Sequence, residues 1–258
     1  MSIKVSLFAS SIRPYLYESF FKSLEGTSIE FEVVFAGNLK LKEIVKYKSG
    51  SWKYHNTANI KPCQCYEIAR RACTGELIHW TADDAEYSPD FLGKAYHYWK
   101  SQNNEKLILS LQTIENYRVA GGKEKKLFDM NTHRFCGKNS PLMAPLGIMS
   151  RKFLDELGGY DRRYICGQGE NDIVMRACAG GGTVEIFGDK DNYIELDHIN
   201  KHGVNNDRSF ASGFKHDRRI LESSWIIKGG FRQIEPMQPY NDENILTKSQ
   251  SFKKDIWV

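Results

Sequence analysis

Over the first 111 residues, short apolar runs alternate with helix-forming stretches, and that order leaves few folds open. Residues 3–8 and 31–36 (Phe-Glu-Val-Val-Phe-Ala) are apolar runs of strand length, the second closed by Gly37-Asn38. Between them Pro14 opens a helical stretch over 15–24. A second helix is expected over 64–73, stopped by Thr74-Gly75, with a strand over 76–80 behind it. Ser88-Pro89 has the cap and first-turn proline of a helix start, which predicts a helix over 88–102 and a fourth strand over 107–111. Strand-helix-strand repetition at this spacing gives the expected fold class: α/β, a mostly parallel central sheet flanked by helices in three layers.

The second half is less regular. Residues 115–144 read as loop with short elements, and 146–149 as a brief strand running into a helix over 151–157 that ends at Gly158-Gly159. A helix over 170–179 stops at Gly180-Gly181-Gly182, and residues 183–187 form another strand. The expected organisation is a main domain over 1–203 and a C-terminal extension over 204–258. In the extension, residues 215–221 (Lys-His-Asp-Arg-Arg-Ile-Leu) read as a solvated helix packed on the domain, with an anionic surface as the other resting place. Trp225 and Phe231 are its expected buried anchors.

Composition excludes several classes. Hydrophobic residues at 41% and charged residues at 26% are ordinary globular usage, not that of a disordered or collagen-like chain. The formal charge of +4 is too thin for a nucleic-acid binder. No run approaches the roughly 18 apolar residues of a membrane span. The N-terminus starts like a strand and not like a signal peptide, so a cytoplasmic protein is expected. Six cysteines without a Cys-x-x-Cys pair read as free thiols in a reducing compartment.

The strongest local signal is Trp80-Thr-Ala-Asp-Asp-Ala-Glu-Tyr87. Ligands of open parallel sheets bind beyond the carboxyl ends of the strands, and Asp83 and Asp84 fall just past one. Helix capping is the bland reading, but Ser88-Pro89 already supplies a helix start. Three carboxylates within four positions repel one another unless a cation offsets them. Mn2+ or Mg2+ suits that role, because hard cations bind through one or two carboxylates plus substrate phosphates.

A second acidic patch is Gly167-Gln-Gly-Glu-Asn-Asp-Ile-Val-Met-Arg176. Asp172 and Arg176 are spaced to pair along a helix, which is the structural reading of Asp172. Glu170 has no such partner and sits at the helix N-terminus, where an ionised carboxylate can act as general base. Glu170 is the first candidate for that role and Asp172 the second. His198, behind a short strand over 193–196, is either a structural histidine or a ligand completing a manganese site, and His202 is a weaker candidate.

Taken in order, these segments resemble the inverting family 2 glycosyltransferases of the GT-A fold. Leu7-Phe-Ala-Ser-Ser-Ile-Arg-Pro14 is similar to that family's first strand and the polar turn that meets the nucleotide. The stretch from Ala69 to Asp84 looks like its helix and strand leading into a DxD-type metal motif. Gly147–Arg151 and Leu157-Gly-Gly-Tyr-Asp161 resemble the acceptor-side segment, and Glu170-Asn-Asp172 with Arg176 the acidic motif that holds the base. Two positions depart from the pattern. Thr81 stands where many relatives carry an aspartate, and Gly37-Asn38 where an acid often holds the nucleotide base.

The resemblance implies a metal-dependent transfer of a sugar from a nucleoside-diphosphate sugar, a UDP-sugar, to a carbohydrate or other hydroxyl acceptor, with inversion. Ser11, Arg13, Asn38 and Asp83 would meet the nucleotide. Asp84 and His198 would hold Mn2+ or Mg2+, and Glu170 or Asp172 would be the base. The extension would shape the acceptor side or a homo-oligomer contact. Two other readings stay open: a nucleotidyltransferase, which the glycine-free turn at 10–14 disfavours, and a non-catalytic nucleotide-sugar-binding protein, which Thr81 and Gly37 favour.

Overall fold

The computed structural model describes residues 2–38, 51–57, 61–118, 125–129, 140–197, 207–226, 231–241 and 245. The chain opens with β1 (Val5–Ser10), a 3-10 turn (Pro14–Leu16) and α1 (Tyr17–Ser23), then β2 (Phe31–Gly37), β3 (Ser51–Asn56), α2 (Pro62–Arg71) and β4 (Leu77–Trp80). β5 (Ala85–Tyr87), α3 (Phe91–Ser101), β6 (Leu107–Leu111), β7 (Thr113–Arg118) and β8 (Lys125–Asp129) follow. Next come β9 (Gly147–Ser150), α4 (Arg151–Glu156), α5 (Gly169–Ala179), β10 (Thr183–Phe187) and β11 (Ile194–Asp197). The described chain ends with α6 (Asp207–Ser224), β12 (Trp225–Ile226) and β13 (Arg232–Gln233).

Seven strands form the central sheet in the order β10-β6-β9-β4-β1-β2-β3. β1 lies parallel to both β2 and β4, while β9 runs antiparallel between β4 and β6. The continuous apolar runs are strands buried on both faces, as parallel sheets require. Alternate residues divide the core. Val5, Leu7, Val33, Phe35, Leu77 and Leu109 pack with Phe20 and Phe21 of α1 and with Phe91 and Trp99 of α3. Phe8, Val34, Ile78, Trp80, Ile108 and Met149 pack on the opposite face with residues of α2, α4, α5 and α6. The three layers expected from the alternation are present.

A second, four-stranded sheet, β5-β11-β7-β8, stands where β4 and β6 end. Its strands are short and polar, and sequence pattern alone does not announce β5, β7 or β8. The helix expected from Ser88-Pro89 begins later, at Phe91. Ser88 instead uses its Oγ to accept the Tyr193 N–H (3.0 Å), tying the strand entrance of β11 to this turn. Asp90 takes a left-handed backbone (φ 53°) and accepts the N–H and O–H of Ser28. Cys63, Cys65, Cys73, Cys166 and Cys178 are free thiols, and Cys136 lies outside the described residues. Among the described residues no helix is long and apolar enough to cross a membrane.

The departure at Thr81 has a structural cause. His79, Thr81 and Tyr87 are buried in one chain of hydrogen bonds: His79 Nδ1 to the Gly147 carbonyl (2.9 Å), His79 Nε2 to the Tyr87 hydroxyl (2.8 Å), and that hydroxyl to Thr81 Oγ1 (2.6 Å). A carbonyl only accepts, so Nδ1 carries the proton, Nε2 accepts from Tyr87, and Thr81 donates to Tyr87. Thr81 thus serves the strand end and not the solvent side of the turn.

Burial pushes the His79 imidazole down to about 4, against 6.5 for an exposed ring. The unfolded chain therefore binds the extra proton first as pH falls. Stability carried by neutral His79 is complete above about pH 6.5 and drains away toward pH 4, by about 3 kcal/mol in total. A His79→Asn variant should be less stable at pH 7.5, and its urea midpoint should fall less between pH 7.5 and 4.5 than that of the parent. Equal slopes would reject this role for His79.

Candidate active site

Because β1 and β4 are parallel neighbours, paired from Val5–Leu77 to Phe8–Trp80, the turns after them emerge side by side. The Thr81 N–H continues the ladder onto the Phe8 carbonyl (3.0 Å). Trp80 is clamped by its indole N–H on the Ala144 carbonyl (2.9 Å) and by Gly147, where a Cβ would fall 2.1 Å from the ring. This register carries Asp83 and Asp84 to Ser11 and Arg13.

Both aspartates are almost fully buried, at 1% and 2% exposure, and both face the Arg13 guanidinium. Asp83 is densely engaged. Its Oδ2 accepts from Ser11 Oγ (2.7 Å) and the Arg13 N–H (3.3 Å), and its Oδ1 accepts from Arg13 Nε (2.8 Å) and Nη2. Since Ser11 donates to Asp83, its oxygen accepts from the Tyr17 hydroxyl (2.7 Å). Asp84 meets the same guanidinium at longer range, 3.2 and 3.4 Å. The offsetting cation inferred from sequence is thus supplied, for one of the two charges, by the chain's own arginine. Glu115 on β7, a residue the sequence pattern did not mark, is pushed up by burial and then by the charge of Asp84.

The residues fit a divalent cation in one way. Among the described residues there is no group of three His, Cys, Asp or Glu side chains that could hold a metal by itself. Asp83 accepts from Ser11 and Arg13, and Asp84 meets Arg13 at 3.2 and 3.4 Å. One carboxylate with phosphates and water is a sufficient donor set for Mg2+ or Mn2+. The antiparallel register of β5 with β11, Ala85 against Leu196, brings the Asp197 end of β11 toward Asp84. His198, the next residue in sequence, and His202 lie outside the described residues.

Asn38 is exposed at the end of β2, beside the Ser11 turn. The glycine before it is required: a Cβ on Gly37 would fall 2.1 Å from the Ser11 carbonyl oxygen, which also accepts the Tyr54 hydroxyl (3.1 Å). An exposed Tyr15 and Ile12 flank Arg13.

The second half of the site forms at the start of α5. Gln168 adopts a left-handed backbone (φ 66°) just before Gly169, whose lack of a side chain lets it close on the Tyr160 ring (2.8 Å to a built Cβ). A strained residue at such a junction is held by its surroundings. Here the holder is Asp217 of α6, which accepts three successive backbone N–H groups, from Ile165, Cys166 and Gly167 (2.9, 2.7 and 2.8 Å). Glu170 follows, half-buried, its Oε1 accepting the Tyr160 hydroxyl (3.2 Å). Burial pushes its carboxyl above the usual range, Asp217 adds to the rise, and its own N–H and Tyr160 oppose it.

The two halves meet at Tyr66 of α2. Its hydroxyl donates to the Thr81 carbonyl (2.7 Å), and its ring stacks on Tyr160 (centroids 5.6 Å apart, 23° between planes). Burial raises this phenol far above its ordinary value, and the charges of Glu170, Asp83 and Asp84 all add to the rise. Tyr66 thus links the turn that carries Asp83 and Asp84, through Thr81, to Glu170, through Tyr160. The sequence pattern gives Tyr160 and Asp217 no role of their own. The helix over 215–221 packs on the domain as expected, with Asp217, Leu221 and Ser224 buried on one face of α6 and Trp225 buried with Phe231 stacked on it (5.0 Å).

Asp172 stands elsewhere. It is fully buried, with Oδ2 on Arg176 Nε (2.7 Å) and Oδ1 accepting the Trp225 indole N–H (3.1 Å). Arg176 also donates to the Leu157 and Gly159 carbonyls. This is the helix-spaced pair expected of the structural reading, sunk into the core and not on the surface. Asp172→Ala would strand the Arg176 charge and should lower stability by about 3–5 kcal/mol. Urea unfolding checks it, and a loss under 1 kcal/mol would place the pair in solvent instead.

No protein-family model and no curated protein sequence matches the chain. Solved structures do. S. aureus TarS 1-349 in complex with UDP superposes with a TM-score of 0.60 at 15% identity, over 86% of this chain and 65% of that one. The same protein in complex with UDP-GlcNAc gives 0.57 at 14% identity, over 83% and 65%. GalNAc-T7 with UDP, GalNAc and Mn2+ gives 0.57 at 12% identity, over 87% and 48%. The chain thus spans less than two thirds of the length of each. At these identities the likeness concerns the fold, and the fold it establishes is the GT-A fold of glycosyltransferases.

Proposed function

We propose that the chain is a glycosyltransferase that moves a sugar from a nucleoside-diphosphate sugar, a UDP-sugar, to a hydroxyl acceptor with inversion. The observation that carries this reading is the link from the Thr81–Asp84 turn, at the carboxyl end of β4, through Tyr66 and Tyr160 to Glu170. The nucleotide and sugar in the similar structures, UDP, UDP-GlcNAc and GalNAc, support the substrate class.

In this reading Arg13 donates to the diphosphate, with Ser11 and Asp83 fixing its guanidinium, and Asn38 meets the nucleoside. Asp84, with His198, would hold Mn2+ or Mg2+, and when bound the ion would supply positive charge to the leaving diphosphate. The Mn2+ beside UDP in the GalNAc-T7 structure supports that assignment. Glu170 takes the acceptor's proton as the hydroxyl attacks the anomeric carbon from the face opposite the diphosphate. A base whose carboxyl is raised toward the working pH suits this task, and one base suffices because a diphosphate leaves without protonation.

Glu170→Gln should cut transfer from UDP-GlcNAc or UDP-GalNAc to sugar acceptors by about 10²–10⁴-fold while UDP binding, read by calorimetry, stays intact. Unchanged turnover would reject Glu170 as the base. UDP binding without transfer to any acceptor by the parent protein would favour the non-catalytic reading. Asp84→Asn should weaken the Mn2+ dependence of UDP binding; an unaltered dependence would remove Asp84 from the metal site.

A further inference from the structure

Glu170, half-buried, lies within electrostatic reach of five groups. The Tyr160 hydroxyl comes from the loop before α5, Asp217 from α6, Cys166 from the loop it caps, and Tyr66 and Cys63 from α2. None of these five groups is a cation. Asp217 is an acid, and the thiols and phenols are held neutral by burial. Besides its own N–H, the group that donates to the carboxylate from this shell is Tyr160.

The Tyr160 ring is fixed from several sides. It is fully buried, stacks on Tyr66, meets Phe8 edge-on (6.3 Å) and has Gly169 against its face. Its backbone N–H donates to Glu67 (3.0 Å). The hydroxyl therefore has little freedom, and the carboxylate it touches must conform to it.

We propose that Tyr160 is a positioning residue for Glu170, its phenol O–H holding Oε1 and so orienting the carboxylate toward the acceptor. This rests on the reading of Glu170 as the base. The chemistry is local: one neutral O–H donor replaces the cation that a buried carboxylate would ordinarily recruit. It favours the ionised form against burial and against Asp217, and so keeps the carboxylate deprotonated and aimed while burial still holds its carboxyl above the usual range.

Tyr160→Phe deletes only the hydroxyl and keeps the ring's packing. The acid limb of the kcat/KM profile should move up by about one pH unit and the alkaline plateau should fall several-fold, with the donor KM retained. Independently of activity, the carboxyl carbon resonance of Glu170, assigned by its loss in Glu170→Gln, should titrate at higher pH in Tyr160→Phe than in the parent. An unmoved resonance, or an alkaline plateau equal to the parent's, would overturn the proposal. A resonance that moves while the acid limb stays put would overturn the positioning role in catalysis and, with it, Glu170 as the base. If the parent shows no transfer at all, the proposed function fails, and the resonance alone decides whether Tyr160 governs Glu170.

Discussion

A single buried carboxylate, Glu67 on α2, joins the two halves of the site. It accepts from Arg70 through both of its oxygens, from Arg71 and from the backbone N–H of Tyr160. Arg70 reaches on to Asp155 of α4. An ionised group taken out of water is tolerated only when its lone pairs are filled, so these donors hold α2 rigidly against the 157–160 turn. That turn has no room for a side chain at Gly159, where a Cβ would fall 2.5 Å from Glu67. One residue before Glu67 stands Tyr66, facing the acid pair. The spacing between the Asp83–Asp84 turn and Glu170 is therefore set by one helix and its buried acid.

The acids of the site are separated by their surroundings and not by their type. Asp172 and Glu170 are two positions apart on α5, yet one is sunk with an arginine and the other is half-open with a phenol. Asp83 is saturated by donors, while Asp84 beside it is held at longer range. Neighbouring carboxylates of the same chain thus sit in different hydrogen-bonding environments.

The C-terminal helix belongs to the same machinery. Asp217 closes the 165–167 loop from behind, and Trp225 caps Asp172 at the far end. Asp217 lies beyond residue 203, yet it holds the loop that leads to Glu170. The basic, polar look of α6 hides this, because a solvated face carries most of its residues and only a narrow stripe turns inward.

The sequence alone determined the inner strands of the central sheet and the helices between them, but not β3, β5, β7 or β8, because apolar runs buried on both faces and glycine or proline breaks are local signals and short polar strands carry neither. Residues 107–111 and 183–187 are strands at the bounds expected, and Glu170 at the head of a helix followed from the same pattern. Only the tertiary structure decided what the polar residues do. Ser88 became a tie for β11, Thr81 part of a buried chain, Arg13 the partner of both aspartates, and Asp217 the clasp of a loop 50 residues away. Periodicity reports which side of an element is buried, whereas a hydrogen bond depends on which distant segment arrives opposite, and that is settled by the packing of the whole chain.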